Sequence, residues 1–502
     1  MGTEHQIAFF LRELAGPDVR RRTAAAKGLG RIGRHEHAWR LAETAGDPVP
    51  EVREAAAIGL GRLGVPEAGQ RVLPLLMADR DPWVRRAASL AALKLDLRGD
   101  EIVQAYADLL RDPDHHLRIN ALVGLTAMRI PGDVPALVRL LGDQDGAVWG
   151  RARSLIYRLR DDRAVKAEVI RAAREGDGAI RVEALTLLPR RCIKRLLDSL
   201  LAGLRDPSPE VRVAVADRLS DVETPRVRDA LTAALDAERD SSVALNLLGI
   251  LERHSDQRMV GAALRWLRDP VAGPAAAGVL GEVDTGAAVE HLRGVIDDTS
   301  LPGPNRAAAA KAIGACGRWD AVWLLLPLLD DPDPDAQAGA VDGLGSRVYY
   351  GLHLWERRPV ARALVARLTS HSDSTWRTAN ALSGLAEALP ALRRLADTSD
   401  AVEVRAAALS LLVPEDLDGP GRGAYGTEAD LRRLVRGLDD DQEPVRHSAA
   451  HGLKQWVAVG LTLPPVGDAV RDRLLTLAQD PSPRVRSAAA DAHQAVAYGW
   501  IH

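Results

Sequence analysis

Side chains able to do chemistry are concentrated in two short stretches. The first is SRVYYGLHLWERRP at 346–359, where Arg347, Tyr349, Tyr350, His353, Trp355, Arg357 and Arg358 lie together although aromatic residues make up only 4% of the chain. Aromatic and arginine side chains are the usual anchors of protein interfaces. These seven are candidate partner-binding residues, although the rings can equally fill the wider core of a longer element. The second stretch, 145–195, holds thirteen Arg/Lys against seven Asp/Glu in a chain whose net charge is −3. Here Trp149, Arg151, Arg153, Arg190, Arg191, Lys194 and Arg195 form a candidate anion-binding set for phosphate, nucleic acid or an acidic protein surface. Solvated helix faces are the plainer explanation of the same charges.

Other pairings carry less. His447 and His451 stand four apart on a predicted helix, a metal-compatible spacing, but no third ligand follows. His35-Glu36 is a lone pair in a loop, and Asp114 before His115-His116 is a better helix cap than ligand. Cys192, in PRRCIKR, has neighbouring positive charges that favour a thiolate, yet no local base. Dinucleotide, P-loop and nucleophile-elbow motifs are missing. No catalytic set, cofactor or metal is expected, and the reading leans away from an enzyme.

These residues sit on a repeat. Residues 47–61 read DPVPEVREAAAIGLG, 206–219 read DPSPEVRVAVADRL and 480–492 read DPSPRVRSAAADA. From Val52 the apolar position recurs at Leu117, Val148, Ile180, Val211 and Val243, with Val84 between, at spacings of 31 to 33. In the 47–61 copy, Val52, Ala55, Ala56, Gly59, Leu60 and Leu63 make one stripe on a 3.6-residue period. Asp47 is the expected N-cap, proline occupies the first turn, and Gly64 ends the helix. A second helix, PEAGQRVLPLLMAD, completes the unit. Two helices alone cannot bury both apolar faces, so the units must stack. The predicted fold is all-α, an α-solenoid of about fifteen two-helix repeats forming a curved superhelix, with the second helices on the concave face.

The pattern D-P-x-x-x-V-R-x-x-A-x-x-x-L resembles HEAT repeats, in the short form also found in phycobilisome-lyase-like proteins. The resemblance spans essentially residues 1–502. It implies that Arg53, Arg85, Arg118, Arg181, Arg212, Arg405, Arg446 and Arg486 bond to aspartates or carbonyls of adjacent units. Such repeats serve scaffolds, adaptors, bilin lyases and a few DNA-repair enzymes, so the resemblance specifies the fold and leaves the function open, its short form implying a lyase-like alternative.

Regular repeats are expected over 1–330, and over 331–502 some units lengthen to about 40 residues, with insertions at 346–359 and 414–427. Two long units match each other, GLGSRVYYGLHL at 343–354 and GLKQWVAVGLTL at 452–463. Two cysteines exclude a disulfide framework, and no apolar run reaches the ~20 residues that span a bilayer. The polar N-terminus lacks a signal peptide's apolar core. Arginine outnumbers lysine sixty to six, pointing to a high-GC bacterial source. The functional expectation is a cytoplasmic, non-catalytic scaffold binding a protein or peptide on its concave surface. The alternatives are a lyase-like enzyme or maturation factor, and nucleic-acid binding through 145–195.

Overall fold

The computed structural model describes residues 3–252, 259–283, 286–316, 320–370, 375–413, 425–459 and 467–498. Among these there are thirty α-helices, a few short 3₁₀ turns and no strand. The fold is an all-α solenoid of paired helices, divided into two compact units, Met1–Val227 and Arg228–His502. Most of the insertion predicted at 414–427 lies outside the described residues, as does Gly460.

The helix Pro50–Leu63 shows why each repeat folds as it does. Val52, Ala55, Ala56, Gly59, Leu60 and Leu63 are all buried, as the period requires. Gly64 ends the helix at φ +72°, where its N–H reaches the Leu60 carbonyl. The N-terminus differs from expectation. Val49, not Asp47, is the N-cap. Capping falls to a residue two positions after Asp47's place in the repeat, as at Asp81, whose side chain accepts from the amides of Trp83 (2.8 Å) and Val84 (3.2 Å). Asp47 is thereby free for another task.

That task is a ladder. Arg53 binds the Asp79 carboxylate through Nε (2.7 Å) and Nη2 (2.9 Å), and its Nη1 donates to the carbonyls of Asp47 (2.8 Å) and Pro48 (3.0 Å). The same arrangement joins Arg22 to Asp47, Arg85 to Asp112 and Arg118 to Asp143 in the first unit, and Arg446 to Asp480 in the second. Arg181 also pairs with Asp206, but its Nε donates to the Ala173 carbonyl (3.2 Å) in place of the usual bonds. Each guanidinium ties its own helix entry to the next repeat by charge-assisted, two-pronged bonds.

Alanine and glycine on the Val-Arg helices let neighbours come very close. A Cβ added to Gly30 would lie 2.6 Å from the Gly59 Cα, and one added to Gly314 would lie 2.1 Å from the Gly343 carbonyl oxygen. Adjacent second helices touch far less. A stack held tighter in one layer bends toward that layer. The Val-Arg helices therefore form the inner face of each unit, reversing the expectation that the second helices would.

Candidate protein-binding surfaces

The 346–359 segment is a helical hairpin in the second unit. Helix Pro334–Tyr350 ends at Gly351, φ +109°, whose N–H bonds to the Arg347 carbonyl. Helix Leu354–Ser370 follows, and Glu356 reaches back so that Oε2 accepts the His353 amide at 2.8 Å. Arg347 is only 3% exposed, with Nη2 3.9 Å from the fully buried Glu356 carboxylate. Arg357 is mostly buried and pairs with Glu387 at 3.5 Å, while Arg358 is exposed. Nearby, burial and the Glu387 charge push the Tyr425 hydroxyl up to about 12, so it stays protonated. Arg347 thus braces the hairpin from within, Arg357 ties it to Glu387, and neither is offered to a partner.

The rings go the other way. Tyr349 is 85% exposed, Tyr350 64%, Leu354 84% and Trp355 61%. Tyr349 and Tyr350 meet edge to face at 5.3 Å, and His353 stacks on Trp355 at 4.5 Å with planes 5° apart. Of residues 349–355, Leu352 alone is buried. Packing of the tyrosines into a wider core is excluded.

The basic stretch 145–195 is dispersed. Its members lie on the Val-Arg helix Gly146–Arg158 and on the second-layer helix Arg190–Gly203. Arg190 pairs with Asp221 at 3.1 Å, Arg191 with Asp161 at 3.0 Å, and Arg153 lies 3.4 Å from Glu183. Arg151 donates to its own helix at the Ala147 carbonyl. Lys194 and Arg195 are exposed, and the Arg153 guanidinium covers the Trp149 ring at 5.6 Å. The structure does not gather these groups into one cationic patch.

A surface that sequence reasoning missed lies on three consecutive Val-Arg helices, Pro50–Leu63, Pro82–Lys94 and His115–Met128. A groove of about 360 Å³ has Ile58, Ala87, Leu90 and Ala91 along its floor and Trp83, 60% exposed, at its rim. Arg86 lies over Trp83 at 5.0 Å and also binds Asp114, Nη2 to Oδ1 at 2.7 Å. That bond, outweighing burial, holds Asp114 down at about 2. The available signal was Trp83, which stands where the copies at 47–61 and 206–219 carry Glu51 and Glu210.

Asp114, His115 and His116 bring ligand atoms within 4.8 Å of one another, the one such cluster among the described residues. The Asp114 charge is already met by Arg86, whose Nη2 also lies 3.0 Å from His116 Nδ1. A cation there would have to displace that guanidinium. His447 and His451 stack in parallel, ring centres 6.4 Å apart, and Cys192 is buried. No helix among the described residues is long and apolar enough to cross a membrane.

Residues 7–94, 70–156 and 165–248 match the family model for HEAT repeats. No curated protein matches the sequence. Among solved structures, Kap95p in its work with RanGDP aligns at TM-score 0.52 and 15% identity, covering 99% of this chain and 72% of that one. A Kap121p crystal structure aligns at TM-score 0.47 and 15% identity over 98% of this chain. The chain spans 56% of the length of that Kap121p. The Kap95p likeness establishes the repeat fold.

Proposed function

We propose that this protein is a non-catalytic scaffold of the bacterial cytoplasm that binds a protein or peptide partner through its inner helix faces and the aromatic hairpin. The observation that carries the reading is the hairpin itself: Tyr349, Tyr350, Leu354 and Trp355 stand in solvent on a base fixed by the buried Arg347–Glu356 pair. Large rings held rigid in water lose little entropy on binding and bury much area. The apolar groove beside Trp83 supports the same reading from the first unit. Kap95p, similar in fold, binds RanGDP, which supports a protein as the partner.

The test is affinity capture from nuclease-treated host lysate, comparing the intact chain with a Tyr350→Ala/Trp355→Ala double variant. We expect one protein near stoichiometry on the intact chain and about ten-fold less on the variant, as for loss of a hot-spot pair. Both side chains are exposed, so helix content and melting temperature stay unchanged. Equal recovery on both chains overturns the assignment to the hairpin.

A further inference from the structure

The arginine ladder of the first unit has one missing rung. At Arg118, Nη1 donates to the carbonyls of Asp112 and Pro113, both at 2.9 Å, and Nη2 donates to Asp143 at 2.9 Å. In the next repeat the position after Val148 is Trp149. The carbonyls of Asp143 and Gln144, which an arginine there would engage, take no hydrogen bond from a described residue. Glu175, which occupies the position of the ladder acid, is exposed and pairs with no cation among the described residues. Asp177, at the N-cap of helix Gly178–Leu187, caps nothing.

A groove of about 500 Å³ borders this slot at Asp143 and Trp149 and is lined also by Gly146, Gly178, Glu183 and Glu210. Oε2 of Glu183 is buried in it, 3.4 Å from Arg153 Nε, and takes no hydrogen bond. Trp149 already serves as a platform for one guanidinium, that of Arg153. The Asp143 and Glu183 carboxylates are already paired with Arg118 and Arg153, so what the groove offers a further guanidinium is the open carbonyls and the ring.

We infer that this groove takes an arginine side chain of a partner peptide, its guanidinium standing in for the ladder arginine that Trp149 replaces. The neighbouring repeats show the recognition directly, with a planar fork shared between carboxylate and carbonyls. Arginine satisfies that geometry and lysine does not. The proposal rests on the protein-binding reading above and adds the chemistry of the ligand.

The test is fluorescence anisotropy of the full chain with a labelled peptide of five alternating Gly-Arg pairs in 0.15 M salt. The same peptide with lysine or glutamate in place of arginine is the comparison. We expect the arginine peptide to bind about ten-fold more tightly than the lysine peptide. Trp149→Arg supplies an internal guanidinium and should weaken binding by a similar factor while keeping or raising the melting temperature. Glu183→Gln should weaken binding without that repair, so the idea stays testable if Trp149→Arg misfolds. Equal binding of the arginine and lysine peptides, unaltered by either variant, overturns the proposal as non-specific attraction. Preference for the glutamate peptide overturns it in favour of an anion site. If arginine binding fails while the hairpin-dependent partner is still captured, only the groove is rejected.

Discussion

At the scale of single residues, the ladder pairs are this protein's main electrostatic investment. Arg53 and Asp79 are both largely buried, and removing one leaves the other without its partner. Arg53→Ala should cost about 2–3 kcal/mol, read as a lower urea midpoint. The aspartates set the pH dependence. The Arg53 hydrogen bond holds Asp79 below the ordinary carboxylate range, and Arg86 does the same for Asp114, to about 2. Each is a stronger acid folded than unfolded, so its contribution is complete above the unfolded value near ~4. Stability should stay level from pH 7 to about 5 and fall as pH drops from about 4 toward 2. Thermal melts across that range check it, and Asp114→Asn should flatten part of the fall.

At the scale of elements, small residues decide how closely helices stack. Gly314→Ala drives a methyl into the Gly343 backbone and should cost about 1–3 kcal/mol. Gly150, on helix Gly146–Arg158, has nothing within 4 Å of a built Cβ. Gly150→Ala should therefore stabilise by up to about 1 kcal/mol through helix propensity alone. Denaturant melts of the two variants should move in opposite directions. The longer repeat of the second unit carries a repair of the ladder. Gln337 occupies the arginine position and donates to the Asp331 carbonyl at 2.5 Å. The missing guanidinium comes from Arg367 on the following helix, bonded to Gln337 Oε1 (2.7 Å) and the Leu329 carbonyl (2.8 Å). Burial lowers the Arg367 pKa, and the bonds keep the charge in place. No local pattern announces such a substitution, because the replacement comes from 30 residues away.

At the scale of the whole molecule, each repeat leans only on its neighbours. Perturbation should therefore spread a short way and stop. Hydrogen exchange on the Arg53→Ala chain should rise in helices Val19–Ile32, Pro50–Leu63 and Pro82–Lys94, and stay unchanged in helix Pro209–Leu219. A uniform rise through the whole first unit would show a cooperative domain instead. The same locality explains how one rung can be lost at Trp149 while Arg118 and Arg181 keep their partners on either side.

The sequence by itself determined the repeat, the helical period and the buried stripe. These depend on residues within one unit or its neighbour, and the period prints them many times. It also singled out the 346–359 aromatics as unusual. Only the tertiary structure decided their direction: Tyr349 and Tyr350 point to solvent because Arg347 and Glu356 take the interior of the hairpin. It likewise decided that Asp47 serves the ladder and not the cap, and that the Val-Arg layer is the inner one. Charge summed along 145–195 is positive, yet helices place those arginines on different layers and beside carboxylates brought in from other repeats. A linear sum cannot anticipate which charges meet, since that depends on the packing of helices distant in sequence.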